Sequence, residues 1–180
     1  MLKYFIRLLL LVGAIIGIIA LIGCLLPRSY DFETQVNIVA QPSAVYQKIE
    51  SLRNWQDWSM QFNPDTIEGL EIQYSGADSG VGAVQTWTDP RGHGKLWITE
   101  SQPFEHVDYK VIFGDFPEMD SRIELSNQGA TTQVTWRSHG SLPGGPFYGF
   151  FGAFFSTQLK HEYNRSLEKL KSIVESELEY

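Results

Sequence analysis

The stretch from Pro146 to Glu179, PFYGFFGAFFSTQLKHEYNRSLEKLKSIVESELE, decides the fold. Phe151, Phe155, Leu159, Tyr163, Leu167, Leu170, Val174 and Leu178 follow one another at steps of three or four, which sets them along one helical face. Lys160, Arg165, Glu168, Lys169, Ser172, Glu175 and Glu179 fall away from that stripe and can stay in water. Pro146 suits the first helical position, where its missing N–H costs nothing, and Gly145 can serve as the cap. Gly149 and Gly152 weaken the first turns. A helix of roughly 25–30 residues at 1.5 Å per residue is about 40 Å long, enough to cross a small domain. Nothing else downstream of residue 28 reads as a comparable helix, so the strands are expected to wrap around this one.

The N-terminus is of another kind. From Leu8 to Leu26 the run LLLLVGAIIGIIALIGCLL holds only apolar residues, glycine and the single cysteine. At 1.5 Å per residue it spans about 28 Å, close to the hydrocarbon thickness of a bilayer. A soluble core helix would show a polar face, and this run shows none. Lys3, Arg7 and the terminal amine precede it and only Arg28 follows closely. Read as an uncleaved signal anchor, residues 1–28 therefore leave the N-terminus in the cytoplasm and residues 29–180 on the exported, periplasmic side. A cleaved signal peptide fits less well, because no A-x-A-like site follows and the apolar run exceeds the usual length. Leu21-Ile22-Gly23-Cys24 resembles the lipobox of bacterial lipoproteins, which would make Cys24 an acylated residue, yet Leu25 and Leu26 continue the span. The Gly13–Gly17 pair is weak evidence for dimerisation in a span so rich in small residues.

Cys24 is the only cysteine, so residues 29–180 hold no internal disulfide. They are numerous enough to bury a core of their own. All 21 acidic residues lie there, against 11 of the 14 basic ones, since Lys3, Arg7 and Arg28 come earlier. A net charge of −10 leaves no electrostatic footprint for nucleic acid and repels anionic headgroups.

Beyond Pro27, Tyr30, Phe32, Thr34, Val36, Ile38 and Ala40 alternate with polar residues as in a half-buried strand. Pro42 ends it, and Ser43 can cap a short helix carrying Val45, Ile49 and Leu52. Trp55 and Trp58 stand three apart on another helical turn, stopped by Asn63-Pro64-Asp65. Strand-like segments then succeed one another: IEGLEIQY, GAVQTWTD, GKLWITES, HVDYKVIFG, SRIELSN and TTQVTWRSHG, with Asn127-Gln128-Gly129 as a hairpin turn. Turns recur every eight to fifteen residues, as in an antiparallel meander. Strands segregated from helices indicate an α+β fold, and a sheet of six to seven twisted strands curls and needs its concave face filled. The last helix is the element available to fill it.

Several local motifs stand on these elements in order. They are Ile38-Val39-Ala40 with Pro42-Ser43 and Val45-Tyr46; Trp55-x-x-Trp58-Ser59; Gly80-Val81-Gly82-Ala83 ahead of Trp87; and Thr131-Thr132-x-Val134-Thr135-Trp136. Together they resemble the helix-grip superfamily (SRPBCC) of START lipid-transfer domains, the birch-pollen allergen and polyketide cyclase/dehydrase-like proteins, over roughly residues 30–175. Met60 departs from the pattern, where many relatives carry proline. The resemblance implies a cavity between a curled sheet and a long C-terminal helix that holds a hydrophobic small molecule or lipid. It implies no single activity, since members include carriers, binders and enzymes.

The residues themselves offer little catalytic chemistry. His93, His106, His139 and His161 are scattered without metal-ligand spacing and read as solvated surface. No G-x-S-x-G, phosphate-cradling loop, H-E-x-x-H or CxxC occurs, so neither metal nor cofactor is expected. Glu100 shares a face with Leu96 and Ile98 by alternation. If that face points inward, Glu100 is a carboxylate in apolar surroundings with general-base potential. At a strand end near Pro103 it would instead stand in water, which the cost of an unpaired buried carboxylate favours. Tyr74, Trp87, Ile98, Tyr109, Phe113 and Trp136 on the strands, with Phe151, Phe155 and Leu159 on the helix, are the candidate cavity wall. Packing of a filled core would use the same residues. Trp97 faces the other way. The Phe-rich helix start, Phe147 to Phe155, can cap the core or form a greasy gate near the bilayer. The expected function is membrane-tethered binding, with transport as an extension, of a hydrophobic small molecule or lipid. The alternatives are a cyclase/dehydrase-type enzyme using Glu100 or a tyrosine, and a protein–protein interaction module without ligand.

Overall fold

The structure, a computed structural model of the chain, describes residues 2–26, 29–143, 145 and 148–178, and of residues 2, 149–151 and 153–155 the backbone alone. Helix α1 (Leu2–Leu25) is apolar all round from Leu8 onward, with Lys3 and Arg7 in its first turns. By length and composition it is the one helix among the described residues able to cross a membrane, and only 6% of its most apolar stretch is buried.

Seven antiparallel strands follow, β1 (Ser29–Ile38), β2 (Glu71–Gly76), β3 (Ala83–Asp89), β4 (Gly92–Gln102), β5 (His106–Phe113), β6 (Met119–Asn127) and β7 (Thr132–Ser141). They form one sheet in the order β1-β7-β6-β5-β4-β3-β2. β2 to β7 are a meander of successive hairpins, and the first strand closes the sheet against the last, Ser29 opposite Ser141 and Ile38 opposite Thr132. Strict alternation in β1 buries Tyr30, Phe32, Thr34, Val36 and Ile38 and leaves every intervening residue in water. Between β1 and β2 lie α2 (Pro42–Ile49), a 3-10 turn (Leu52–Asn54) and α3 (Trp55–Trp58). Pro42 itself takes the start of α2, preceded by Gln41, and no side chain caps it; Ser43 lies inside the helix.

Helix α4 (Tyr148–Leu178) lies across the concave face and buries Leu159, Tyr163, Leu167, Leu170 and Val174, the stripe read from the sequence. Leu178 has run past the sheet and is exposed. Asn164 meets the Thr34 hydroxyl of β1, and Glu175 Oε1 accepts the Val39 N–H at 2.7 Å, which fixes the helix along the β1 side. Pro146 and Phe147, and the side chains of Phe150, Phe151, Phe154 and Phe155, lie outside the described residues. The fold is thus α+β and helix-grip, with a long apolar helix in front.

The space beneath α4 is largely occupied. Trp136 of β7 stacks on Tyr163, ring centroids 3.8 Å apart, and Trp55 and Trp58 of α3 close over the pair at 6.1 and 5.5 Å from Trp136. Each indole N–H has an acceptor: Trp55 donates to the Ile49 carbonyl (2.9 Å), Trp58 to the Lys48 carbonyl (3.1 Å) and Trp136 to the Tyr109 hydroxyl (2.8 Å). The two short helices are thereby hooked together, and no N–H of these three rings is buried without a partner.

Candidate functional site

A hollow lies under the early part of α4, at the end of the sheet where β3 turns into β4. The Pro90–Arg91 turn, the end of β5 with the following Gly114–Phe116 turn, and the second quarter of α4 enclose a cleft of about 420 Å³. Its wall is apolar, made by Phe62, Trp87, Phe113, Phe116 and Leu159. Trp87 meets Phe62 edge-on at 5.0 Å and Phe113 at 5.6 Å, so the three rings form one surface. Trp87 is held there by its cross-strand partner Gly94, which leaves room for the indole that any side chain would take. Asp89, Arg91, His93, Gln158 and Glu162 make a polar rim. Within it the Arg91 side chain donates to Asp89 Oδ2 from Nη2 at 2.6 Å and from Nε at 3.1 Å, and its backbone N–H donates to Oδ1 at 2.7 Å. These hydrogen bonds hold the Asp89 carboxyl below the usual aspartate range. An apolar wall with a small set of oriented polar groups is the usual make-up of a small-molecule site.

Of the residues expected to form a cavity wall, Trp87, Phe113 and Leu159 meet in this cleft. Ile98, Tyr109 and Trp136 are fully buried in the packed middle of the molecule. Tyr74 stands half-buried on β2, accepting a hydrogen bond from Gln56 at 2.6 Å beneath the Arg53 guanidinium, away from the cleft. The side chains of Phe151 and Phe155 lie outside the described residues. Gln61, Phe62 and Phe116 were not anticipated. Phe116, an aromatic inside the otherwise polar Gly-Asp-x-Pro turn, is the one that carries a visible signal.

Glu100 is not in apolar surroundings. The β4–β5 register slips between Ile98 and Glu100, so Thr99 is an extra residue and the alternation that places Leu96 and Ile98 inward does not extend to Glu100. Its side chain is 61% exposed and pairs with His106 at 3.2 Å, while Ser101 turns inward to the Tyr46 hydroxyl at 2.6 Å. Two of the histidines, scattered in sequence, are brought to acids in space: His139 lies 4.0 Å from Asp31, and His106 lies with Glu100 and Asp108 in a group of metal-ligand geometry. Arg122 already occupies both Asp108 oxygens at 2.6 Å, placing a positive charge where a cation would sit. These residues do not fit a metal.

The buried hydroxyls form a chain in which Tyr109, Tyr163 and Ser138 are linked, with Ser121 donating to or accepting from Ser138 at 2.7 Å. Burial raises both tyrosines above their ordinary pKa, Tyr109 strongly and further through its neighbour Tyr163. Burial likewise pushes Tyr30 up to about 12. Neutral, fully enclosed phenols brace the core and do not reach the cleft. A second hollow of about 340 Å³ lies on the outer face, bounded by Asp31, Asp120, Arg122, Arg137 and His139. Its arginines are paired with Asp108 and with Glu33, so charged side chains already bound to one another rim it.

Similar proteins agree with this architecture. A protein of Chromobacterium violaceum superposes with a TM-score of 0.59 at 18% identity, covering 81% of this chain and 96% of that one. A protein of Thermus thermophilus gives 0.61 at 14% identity, with 81% and 97% covered. Aha1 of Colwellia psychrerythraea, described as a dimer in solution, gives 0.59 at 17%, with 81% and 96% covered. At such identities the likeness concerns the fold. No curated protein matches the chain. Residues 29–175 match the family described as polyketide cyclase / dehydrase and lipid transport, a description consistent with hydrophobic ligand binding. The chain belongs to that polyketide cyclase / dehydrase and lipid transport family.

Proposed function

We propose that this protein is tethered to a membrane by α1 and binds an apolar small molecule or a lipid, without covalent chemistry, in the cleft between the β3–β4 end of the sheet and α4. The observation that carries this reading is the cleft itself: about 420 Å³ of space walled by Phe62, Trp87, Phe113, Phe116 and Leu159 in a molecule whose centre is otherwise filled. That volume is in the lower part of the range for small-molecule sites, which favours a single-chain or few-ring ligand over a large one. Binding would gain about 25 cal/mol for each Å² of apolar surface removed from water, with the rim setting orientation. Residues 1–28 serve as the anchor, the N-terminus stays in the cytoplasm and residues 29–180 work on the other side.

Native mass spectrometry of gently purified full-length protein tests the reading. A co-purified apolar species is expected, and it should be lost in Gln158→Trp, which fills the cleft from its solvent-exposed rim without touching the core. An empty wild-type protein that instead retains a protein partner would overturn ligand binding in favour of an interaction module, a reading that the filled centre also supports.

A further inference from the structure

The antiparallel register sorts the ends of the strands into two sets. At one end of the sheet lie Ser29, Ser141, Met119, Phe113 and the Asp89–Gly92 turn. At the other lie Ile38, Thr132, Asn127, His106 and Gln102. Helix α4 begins at the first end, where Tyr148 meets Phe116 edge-on at 6.5 Å, and finishes at the second, where Glu175 holds Val39. Most of the cleft belongs to the first end, where the 89–93 turn, the 113–116 turn and residues 158–162 of α4 meet, with Phe62 added from the segment after α3.

The chain enters the sheet at that same end. Between Leu25, the last residue of α1, and Ser29, the first of β1, stand only Leu26, Pro27 and Arg28. Four Cα steps at about 3.5 Å each reach about 14 Å when fully stretched. The start of β1 therefore stays within about 14 Å of the point where α1 ends, and the cleft lies at that same end of the sheet, three to five strands across from β1 at about 4.8 Å per strand. Large apolar residues exposed at the opposite end, Val39, Val81 and Phe104, lie the length of the strands away.

We infer that the cleft opens onto the bilayer leaflet from which α1 emerges, and that its ligand passes between that leaflet and the cleft without crossing bulk water. This rests on reading α1 as a membrane anchor and the cleft as the ligand site. The net charge of −10 on residues 29–180 favours contact with a zwitterionic leaflet over an anionic one.

Depth-dependent quenching tests the arrangement. The full chain, with Cys24→Ala, receives one cysteine at an exposed turn: Asp115→Cys at the cleft end, or Ala130→Cys at the opposite end. Each is labelled with a small fluorophore and reconstituted in phosphatidylcholine vesicles containing lipid spin-labelled at the headgroup. Quenching at position 115 should exceed that at 130 at least threefold. A thirty-residue Gly/Ser insert after Leu26 should remove most of the difference. Equal quenching at both positions, or stronger quenching at 130 as if Val81 and Phe104 lay on the surface, overturns the inference. Failure of the anchor reading looks different: intact mass of the protein from its membrane fraction would then lack residues 1–26.

Discussion

The indole of Trp87 on β3 occupies the space that a side chain at its cross-strand partner, Gly94 on β4, would fill. A Cβ at 94 would also come within 2.5 Å of the Ile112 carbonyl oxygen, so the backbone of β5 resists it as well. Gly94→Ala is therefore expected to push Trp87 out of the cleft wall at a cost of about 1–3 kcal/mol, as for overpacking elsewhere. Urea unfolding measures the cost, and the tryptophan emission, to which Trp87 contributes, should move to longer wavelength. Unchanged stability would mean that the indole is not held there.

Gln85, on the inward face of β3 two residues before Trp87, is fully buried, and both its amide atoms lack a hydrogen-bond partner among the described residues. An unpaired buried amide costs about 1–3 kcal/mol. Gln85→Met, close in volume and free of that demand, should raise the stability of the empty protein by about 1 kcal/mol, read from the denaturant midpoint. A drop instead would show that a bound group pairs with Gln85 in solution.

Alkaline pH should unfold this protein through Tyr30, Tyr109 and Tyr163, all raised above 10 by burial, Tyr30 to about 12. In the unfolded chain they release protons near pH 10, while in the folded one they keep them. The unfolded state then binds fewer protons, so stability is full below pH 10 and falls as pH rises, by up to about 1.4 kcal/mol per pH unit for each group. For Tyr30 the loss runs from pH 10 to about 12. Denaturant midpoints from pH 7 to 11.5 check the slope, and Tyr30→Phe should remove one share of it.

Glu100→Gln should change stability by no more than about 0.5 kcal/mol, because its partner His106 is reached across an exposed surface. Ligand occupancy by native mass spectrometry should also be unchanged. A lost activity or an emptied site in this variant would restore the carboxylate to the chemistry.

How much of this was legible depended on whether periodicity ran unbroken. In β1 it did, from Tyr30 to Ile38, and in α4 Leu159, Tyr163, Leu167, Leu170 and Val174 all face the sheet. Along β4 it broke at Thr99, where a single extra residue exchanged the faces of Glu100 and Ser101, and no local residue preference announces such a bulge. Whether the centre is hollow was beyond periodicity altogether. Trp55 and Trp58 read as residues of a short helix, yet it is their closure over Trp136 that fills the middle and leaves space at one end. The cleft joins turns at 89–93 and 113–116 with residues 158–162, a proximity that only the assembled register creates.

The closing of the sheet also has a kinetic side. β1 has a single neighbour, β7, and Ser29 finds its partner only when Ser141 exists. Hairpins from β2 to β7 can form one after another as they are made, each closing a short loop. The strand that leaves the ribosome first must wait for the strand made last, and the loop it then closes spans most of the chain. Such non-local pairing slows folding and keeps the early strand open to wrong partners. The β2–β6 meander can form before β1 takes part, so truncations that remove β7 should trap that meander with its β6 edge bare and β1 without a neighbour.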